Sequence, residues 1–210
     1  MPSSFTGLIR TLAWSDFPTR KANPPGPGAS RTAANTATDI PAVNVAFQPI
    51  KGTRPAKLGL VDNVHVSVTL DAKKSFVFSW VFSESQQVQD DLLNHEQGHY
   101  NLSALVARDF FVDLMLLKPQ TFATGQGGIN AYQKIYDHSL KKLAKIHKLY
   151  DDDVHPEQSS GKSRGPAQRI WDGYIATAFT QARSSGTQAP DGALHKTRLI
   201  EVLTQNQKSI

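Results

Sequence analysis

The 210-residue chain contains no cysteine, only four glutamates and no long apolar run. The lack of cysteine excludes disulfide bonds, thiolate metal sites and cysteine nucleophiles, so any metal ion must be held by His, Asp or Glu side chains. A membrane-spanning helix needs about 20 consecutive apolar residues. No segment approaches that length, and we therefore predict no membrane span.

The amino-terminal 20 residues also lack the continuous apolar core of a secretory signal peptide. Asp16 lies where such a peptide would need hydrocarbon. We therefore expect either a cytoplasmic location or export by a route that does not use a signal peptide.

The formal charge is +5 and the isoelectric point is near 9.4, values that nucleic-acid-binding proteins often share. The basic residues are scattered along the chain, and many of them fall on the solvated face of a predicted helix. A dispersed positive charge does not form the continuous patch that binds phosphates. We therefore do not expect a nucleic-acid partner.

One short motif carries the strongest chemical signal, the pattern His-Glu-x-x-His formed by His95, Glu96, Gln97, Gly98 and His99. In a helix, residues four apart lie about 40° apart around the axis and about 6 Å along it. Both imidazoles can then bind one metal ion at about 2.0–2.1 Å, with Glu96 beside it as a candidate general base. This arrangement is typical of zinc peptidases. The opposing interpretation is an exposed helix with two solvated histidines.

The surroundings of the motif favour metal binding. The segment from Val88 to Leu117 has no proline, and Gly98 is its only glycine. Apolar residues recur there at helical spacing and share one face with both histidines. They are Leu92, Leu102, Val106 and Phe110. Two polar rings that face a core need partners, and one metal ion supplies a partner to both.

The rest of the chain predicts an α+β fold, with a small amino-terminal antiparallel sheet followed by the long motif helix and further helices. Alternating apolar residues predict strands, most clearly from Ser75 to Ser83. A glycine-rich loop at residues 124–128 precedes a second amphipathic helix from Ala131 to Tyr150. Pro166 suits the first position of a third helix that ends near Gly186.

This pattern predicts one domain, residues 1–186. Residues 22–38 are rich in Pro, Gly, Ala and Thr and read as a flexible loop or arm. Residues 187–210 form a tail with a candidate short helix, whose apolar side would be Leu199, Val202 and Leu203.

Five short signatures occur along the chain: Trp14 to Phe17, Ser79-Trp80, Leu92 to Tyr100, Tyr150-Asp151, and Gly165 with Gln168 and Trp171. Together they resemble the signatures of the bacterial predicted zinc-dependent proteases long described as a domain of unknown function. The resemblance covers most of the chain, from Trp14 to about Trp171. It implies a zincin-like peptidase fold with one bound Zn²⁺. Arg164 stands where the family has a histidine, so the resemblance leaves the third metal ligand open.

A catalytic zinc site has three protein ligands and a water molecule. His155 is the first candidate for the third ligand, because it follows the second predicted helix in the loop where the family's histidine would lie. Asp151 is the alternative, since it matches the family's Tyr-Asp pair. Asp153 and Asp137 are weaker candidates. Three carboxylates at the negative end of a helix dipole are unfavourable, which also favours a nearby cation.

These observations predict a metallopeptidase that hydrolyses peptide or protein substrates through a metal-activated water, with Glu96 as general base. Tyr150 is a candidate oxyanion stabiliser, although packing at a helix end is its commoner role. A second hypothesis is a zincin-shaped binding module of an export or toxin assembly, with a structural metal or none. An amidase acting on cell-wall peptides would use the same residues.

Overall fold

The computed structural model describes residues 3–21, 33–158 and 165–184, with backbone alone for 155–158 and 181–184. Within these ranges, ten short strands precede three helices. The strands are β1 (Ser4–Thr6), β2 (Thr19–Arg20), β3 (Ala34–Asn35), β4 (Thr38–Asp39), β5 (Ala42–Val43), β6 (Phe47–Pro49), β7 (Leu58–Leu60), β8 (His65–Ser67), β9 (Thr69–Leu70) and β10 (Phe76–Phe78). The helices are α1 (Gln86–Met115), α2 (Gly125–Gln158) and α3 (Pro166–Ser184).

The described strands form four small sheets rather than one, in the orders β1-β8-β5, β2-β10-β3, β4-β9 and β6-β7. The predicted α+β class is confirmed. The prediction of a single antiparallel sheet is wrong. β1 pairs with β8 in parallel, and β2 pairs with β10 in parallel. Parallel neighbours must come from distant segments, because a short turn cannot join them.

The predicted strand from Ser75 to Ser83 is much shorter in the structure. β10 ends at Phe78, and a 3₁₀ helix follows over Ser79–Ser83. The two neighbours of β10 are only two residues long and offer no backbone partners beyond Phe78. A 3₁₀ turn satisfies the following backbone groups locally, which an unpaired strand cannot do.

The motif helix, α1, is the central element of the fold. Ser85 caps its first turn by accepting a hydrogen bond from the Val88 amide at 3.4 Å. Every residue from 102 to 112 is buried, so this part of the helix is covered on all sides. The helix packs against α2 and α3 and against β3 and β8. Its bounds agree with the predicted Val88–Leu117 to within two residues.

The second helix is longer than predicted at both ends. The prediction of a glycine-rich loop at residues 124–128 is wrong. α2 begins at Gly125, where the Thr124 hydroxyl accepts from the Gly127 amide at 3.1 Å. A Cβ at Gly128 would lie 2.6 Å from the Phe47 ring, so glycine lets β6 pack directly on the helix backbone. Gly128 therefore serves close packing.

The carboxyl-terminal part of α2 continues through the three aspartates to Gln158. Asp152 pairs with Lys148, and Asp153 accepts a hydrogen bond from the Trp171 indole at 2.8 Å. Asp151 lies beside the motif histidines. The helix is thus continuous through all three aspartates. Each carboxylate has a favourable partner, which offsets the repulsion among the three negative charges.

The predicted start of the third helix at Pro166 is confirmed. The predicted arm at residues 22–38 is wrong in its last part, since β3 and the start of β4 lie there, and residues 22–32 are outside the described residues. The predicted tail at 187–210 also lies outside them. Among the helices of the described part, none combines the length and apolar character needed to cross a membrane.

Candidate metal centre

The two motif histidines meet on one face of α1. His95 is 5% exposed and His99 is 9% exposed. Their rings are perpendicular, with centroids 4.7 Å apart, and the two Nε2 atoms are separated by 3.2 Å. The spacing of four residues therefore brings two imidazole nitrogens together, as the sequence predicts.

Asp151 of α2 supplies a third donor atom to this pair. Its Oδ1 lies 3.3 Å from His95 Nε2 and 3.0 Å from His99 Nε2. Donor atoms bound at about 2.0–2.1 Å to a tetrahedral ion are separated by roughly 3.3 Å. The three distances fit that requirement. The group of His95, His99 and Asp151 could therefore hold a metal ion.

The site is buried at the histidines and open at the aspartate. The Asp151 side chain is 35% exposed, whereas both imidazoles are nearly covered. A carboxylate at the solvent side provides negative charge where an entering cation would meet the site. The described arrangement thus combines fixed buried donors with one accessible donor.

Burial disfavours the charged form of His95, and the surroundings of Asp151 favour its ionised form. Burial lowers the pKa of His95, and the hydrogen bond to Asp151 opposes this only in part. Burial also lowers the pKa of His147, a neighbouring histidine on α2, to about 3. Burial alone would raise the pKa of Asp151, but the two motif imidazoles close to its carboxylate hold it well below its usual range. Neutral imidazole and ionised carboxylate are the forms that bind metals.

The other candidates for the third ligand have different positions. The His155 backbone lies in α2 rather than in a loop, and its side chain is outside the described part of the structure. His155 therefore stays a prediction. Asp153 binds the Trp171 indole, and exposed Asp137 accepts a hydrogen bond from Gln133 at 2.8 Å. The structure does not bring these two aspartates to the motif histidines.

Glu96 lies directly beside the donor group in sequence and is 4% exposed. Its Oε2 is buried and accepts no hydrogen bond from any described residue. A buried carboxylate oxygen with no donor is costly in a folded protein. Such an oxygen is chemically suited to accept a proton from a water molecule or a substrate.

Gln97 attaches the amino-terminal segment to α1. Its Oε1 accepts from the Leu12 amide at 2.7 Å, and its Nε2 donates to the Arg10 carbonyl at 2.9 Å. The Gln97 amide thus pairs with the backbone as a neighbouring strand would. This contact holds residues 10–12, just before the Trp14–Asp16 turn, against the motif.

Gly98 allows α2 to approach the motif closely. A Cβ at this position would lie 2.3 Å from the Tyr150 hydroxyl oxygen, a distance that side chains do not adopt. The Tyr150 ring stacks on His95 with centroids 4.9 Å apart and planes 13° apart. The missing side chain of Gly98 therefore makes room for the phenol that covers the first histidine.

Tyr150 itself is completely buried. Its hydroxyl lies 3.0 Å from Gln168 Oε1 and 3.3 Å from the His95 carbonyl oxygen. Both atoms are acceptors, so the phenol proton is directed at them. The contacts support a packing role that joins α1, α2 and α3. Its role as an oxyanion stabiliser stays a prediction.

His147, which lies one helical turn before Asp151, was not predicted from the sequence as part of the site. Its Nδ1 is 2.7 Å from His99 Nδ1, and its Nε2 is 3.1 Å from the Ser103 hydroxyl. His147 and Asp151 have the same spacing of four residues as the motif histidines. That repeated spacing on a second predicted helix is the signal that could have identified it.

Comparison with protein-family models, with curated proteins and with solved structures finds no match to this chain. The functional argument therefore depends on the residues of the site. Two buried imidazoles, one carboxylate and an adjacent buried glutamate form a candidate metal centre between α1 and α2.

Proposed function

We propose that the protein is a zinc-dependent metallopeptidase in which His95, His99 and Asp151 hold the metal ion and Glu96 is the general base. The observation that carries this proposal is the convergence of three metal-donor atoms, 3.0–3.3 Å apart, beside Glu96. Two imidazoles and one carboxylate form a donor set that Zn²⁺ uses in catalytic sites. A fourth position remains for solvent.

Each residue has a distinct part in this hydrolysis. When bound, zinc would supply an activated water molecule and polarise the peptide carbonyl. Glu96 accepts the proton of that water at a carboxylate oxygen as the water oxygen adds to the carbonyl carbon. As the C–N bond breaks, Glu96 delivers the proton to the leaving amine.

The resemblance to bacterial predicted zinc-dependent proteases supports the same proposal through contacts between its separate signatures. Gln97 of the central signature binds the segment just before Trp14, and Tyr150 binds Gln168. Trp171 binds Asp153, which follows the Tyr-Asp pair. Segments that are far apart in the sequence therefore assemble around one candidate site.

The test compares wild-type protein with Glu96→Gln. Glutamine keeps the shape of the side chain but cannot accept the proton, so we expect zinc content near one ion per chain in both proteins. Cleavage of an unfolded, fluorophore-labelled protein should fall by at least about a hundredfold in the variant. Elemental analysis and the initial rate of fragment release measure the two quantities.

Two outcomes would contradict the peptidase proposal in different ways. Equal cleavage by both proteins would exclude Glu96 as general base. Stoichiometric zinc without cleavage of unfolded proteins would favour the binding module, and cleavage confined to cell-wall peptides would favour the amidase. A chelator should abolish activity, and added Zn²⁺ should restore it.

A further inference from the structure

We propose that His147 is a positioning residue of the metal centre, which fixes the proton of His99 on Nδ1 and leaves Nε2 free to bind the metal. This inference depends on the proposed metal site and adds a residue that the motif does not contain. His147 lies next to Nδ1 of His99, whereas Asp151 lies next to Nε2 of the same ring. Its contacts continue to Ser103 and Thr38.

The backbone carbonyl of His99 can only accept hydrogen bonds, and this fixes the direction of the neighbouring contacts. The Ser103 hydroxyl lies 3.0 Å from the His99 carbonyl oxygen and donates its single proton there. The same hydroxyl oxygen lies 3.1 Å from His147 Nε2. Since its proton is already used, Ser103 must accept in this second contact, and His147 Nε2 must carry the hydrogen.

A neutral imidazole carries one N–H group and one lone pair. With the hydrogen on Nε2, His147 Nδ1 is an acceptor. It lies 2.7 Å from His99 Nδ1, so His99 must donate from Nδ1. His99 Nε2 then has a lone pair, and it lies 3.0 Å from Asp151 Oδ1.

The ring geometry agrees with this hydrogen bond. The His99 and His147 rings are parallel within 4°, with centroids 4.8 Å apart. Two imidazoles joined edge to edge by a nitrogen–nitrogen hydrogen bond of this length have centroids about 5 Å apart. The rings are therefore nearly coplanar, and the lone pair of His147, which lies in the ring plane, points at the His99 N–H.

This assignment leaves two electron-rich atoms in contact at the site. A lone pair on His99 Nε2 and a carboxylate oxygen repel each other unless a cation lies between them. Hydrogen bonds from the outer ring nitrogen also make a ligating histidine more basic and fix its orientation. His147 thus prepares His99 as a metal ligand, whatever reaction the metal then supports.

The first test measures the Kd for Zn²⁺ by competition with a chromophoric chelator. His147→Phe keeps a ring but removes the acceptor, and we expect about 10–100-fold weaker binding. His147→Asn places an amide oxygen near the former Nδ1 and should recover most of that loss. His138→Phe is the matched control, because His138 is an exposed histidine of the same helix. It should bind zinc as the wild type does.

The second test needs no variant and reads the proton directly. In the Zn²⁺-loaded wild type with ¹⁵N-labelled histidine, NMR should show His99 protonated at Nδ1, with a strongly downfield N–H proton. Protonation of His99 at Nε2 would overturn the proposal. So would equal zinc affinity in folded His147→Phe and wild type, or no recovery in folded His147→Asn.

The two proposals can fail separately. Wild-type protein that binds zinc through Nδ1-protonated His99 but cleaves nothing would refute the peptidase and support the role of His147. Cleavage of peptides by the wild type, together with equal zinc affinity in folded His147→Phe, would support the peptidase and refute the role of His147. Failure of the wild type to bind zinc would refute both.

Discussion

At the scale of single residues, each position of the His-Glu-x-x-His motif has a separate physical task. His95 and His99 present nitrogen atoms to Asp151, and Glu96 keeps a buried carboxylate oxygen beside them. Gln97 binds backbone, and Gly98 makes room for a phenol. The two variable positions of the general motif are therefore as constrained in this chain as the three defining ones.

Gly98→Ala tests the close approach of α2. The new methyl group would collide with the Tyr150 hydroxyl, and we expect a loss of about 1–3 kcal/mol in the free energy of unfolding. Gly173→Ala is the matched control, since a Cβ there meets nothing within 4 Å. It should gain about 0.5–1 kcal/mol from helix propensity. Urea denaturation measures both changes, and a stabilised Gly98→Ala would disprove the contact.

Asp151→Asn tests the identity of the third ligand. Asparagine keeps the size but loses the charge that binds the cation, so zinc affinity should fall by more than about a hundredfold. Asp152→Asn is the control, because this exposed neighbour pairs with Lys148 instead. His155→Ala should change affinity little. If only His155→Ala abolishes binding in the chelator competition, the third ligand is His155.

How far the sequence predicts this site depends on helix geometry. His95 and His99 could be paired because both lie on one helix, where spacing determines direction. Asp151 ranked behind His155 because α2 was expected to end at Tyr150, which would place His155 in a loop. His147 was missed because its spacing of four residues from Asp151 was not compared with that of the motif histidines, and because its partners His99 and Ser103 lie on α1.

At the scale of elements, helices were predicted better than strands. The bounds of α1 and the start of α3 follow from caps, proline and apolar spacing, all of which are local. The start of α2 does not, because the glycines among residues 125–128 suggest a loop, whereas Gly128 lies in the helix and allows it to pack on Phe47. Strands of two or three residues are too short to show a period, so their pairing could not be read from the sequence.

Gln97→Ala tests the attachment of the amino-terminal segment to α1. The change removes the acceptor of the Leu12 amide and the donor to the Arg10 carbonyl, at a cost of about 1–3 kcal/mol. Hydrogen exchange of the Leu12 amide should become faster. Gln87→Ala is the control, since among the described residues the side chain of this exposed glutamine bonds to Asp91 one turn away, and the change should cost less than about 0.5 kcal/mol. Unchanged Leu12 protection would contradict the contact.

At the scale of the whole molecule, the candidate centre joins α1 to α2. A zinc ion held by both helices would stabilise the folded state by about 4 kcal/mol when free zinc exceeds its Kd a thousandfold. For a chain of this size, that corresponds to a rise in Tm of about 8–16 °C. Calorimetry with zinc and with chelator measures the shift. Asp151→Asn should lose most of it, and an equal shift in that variant would place the ion elsewhere.

The contact between Gly98 and Tyr150 also constrains how the chain can diverge. A larger side chain between the two histidines requires a shorter one where the phenol lies, because both cannot occupy the same space. Homologous chains are therefore expected to replace these two positions together or to keep both. Such paired replacement would reflect the short distance between α1 and α2, which requires that position 98 carry only a hydrogen atom.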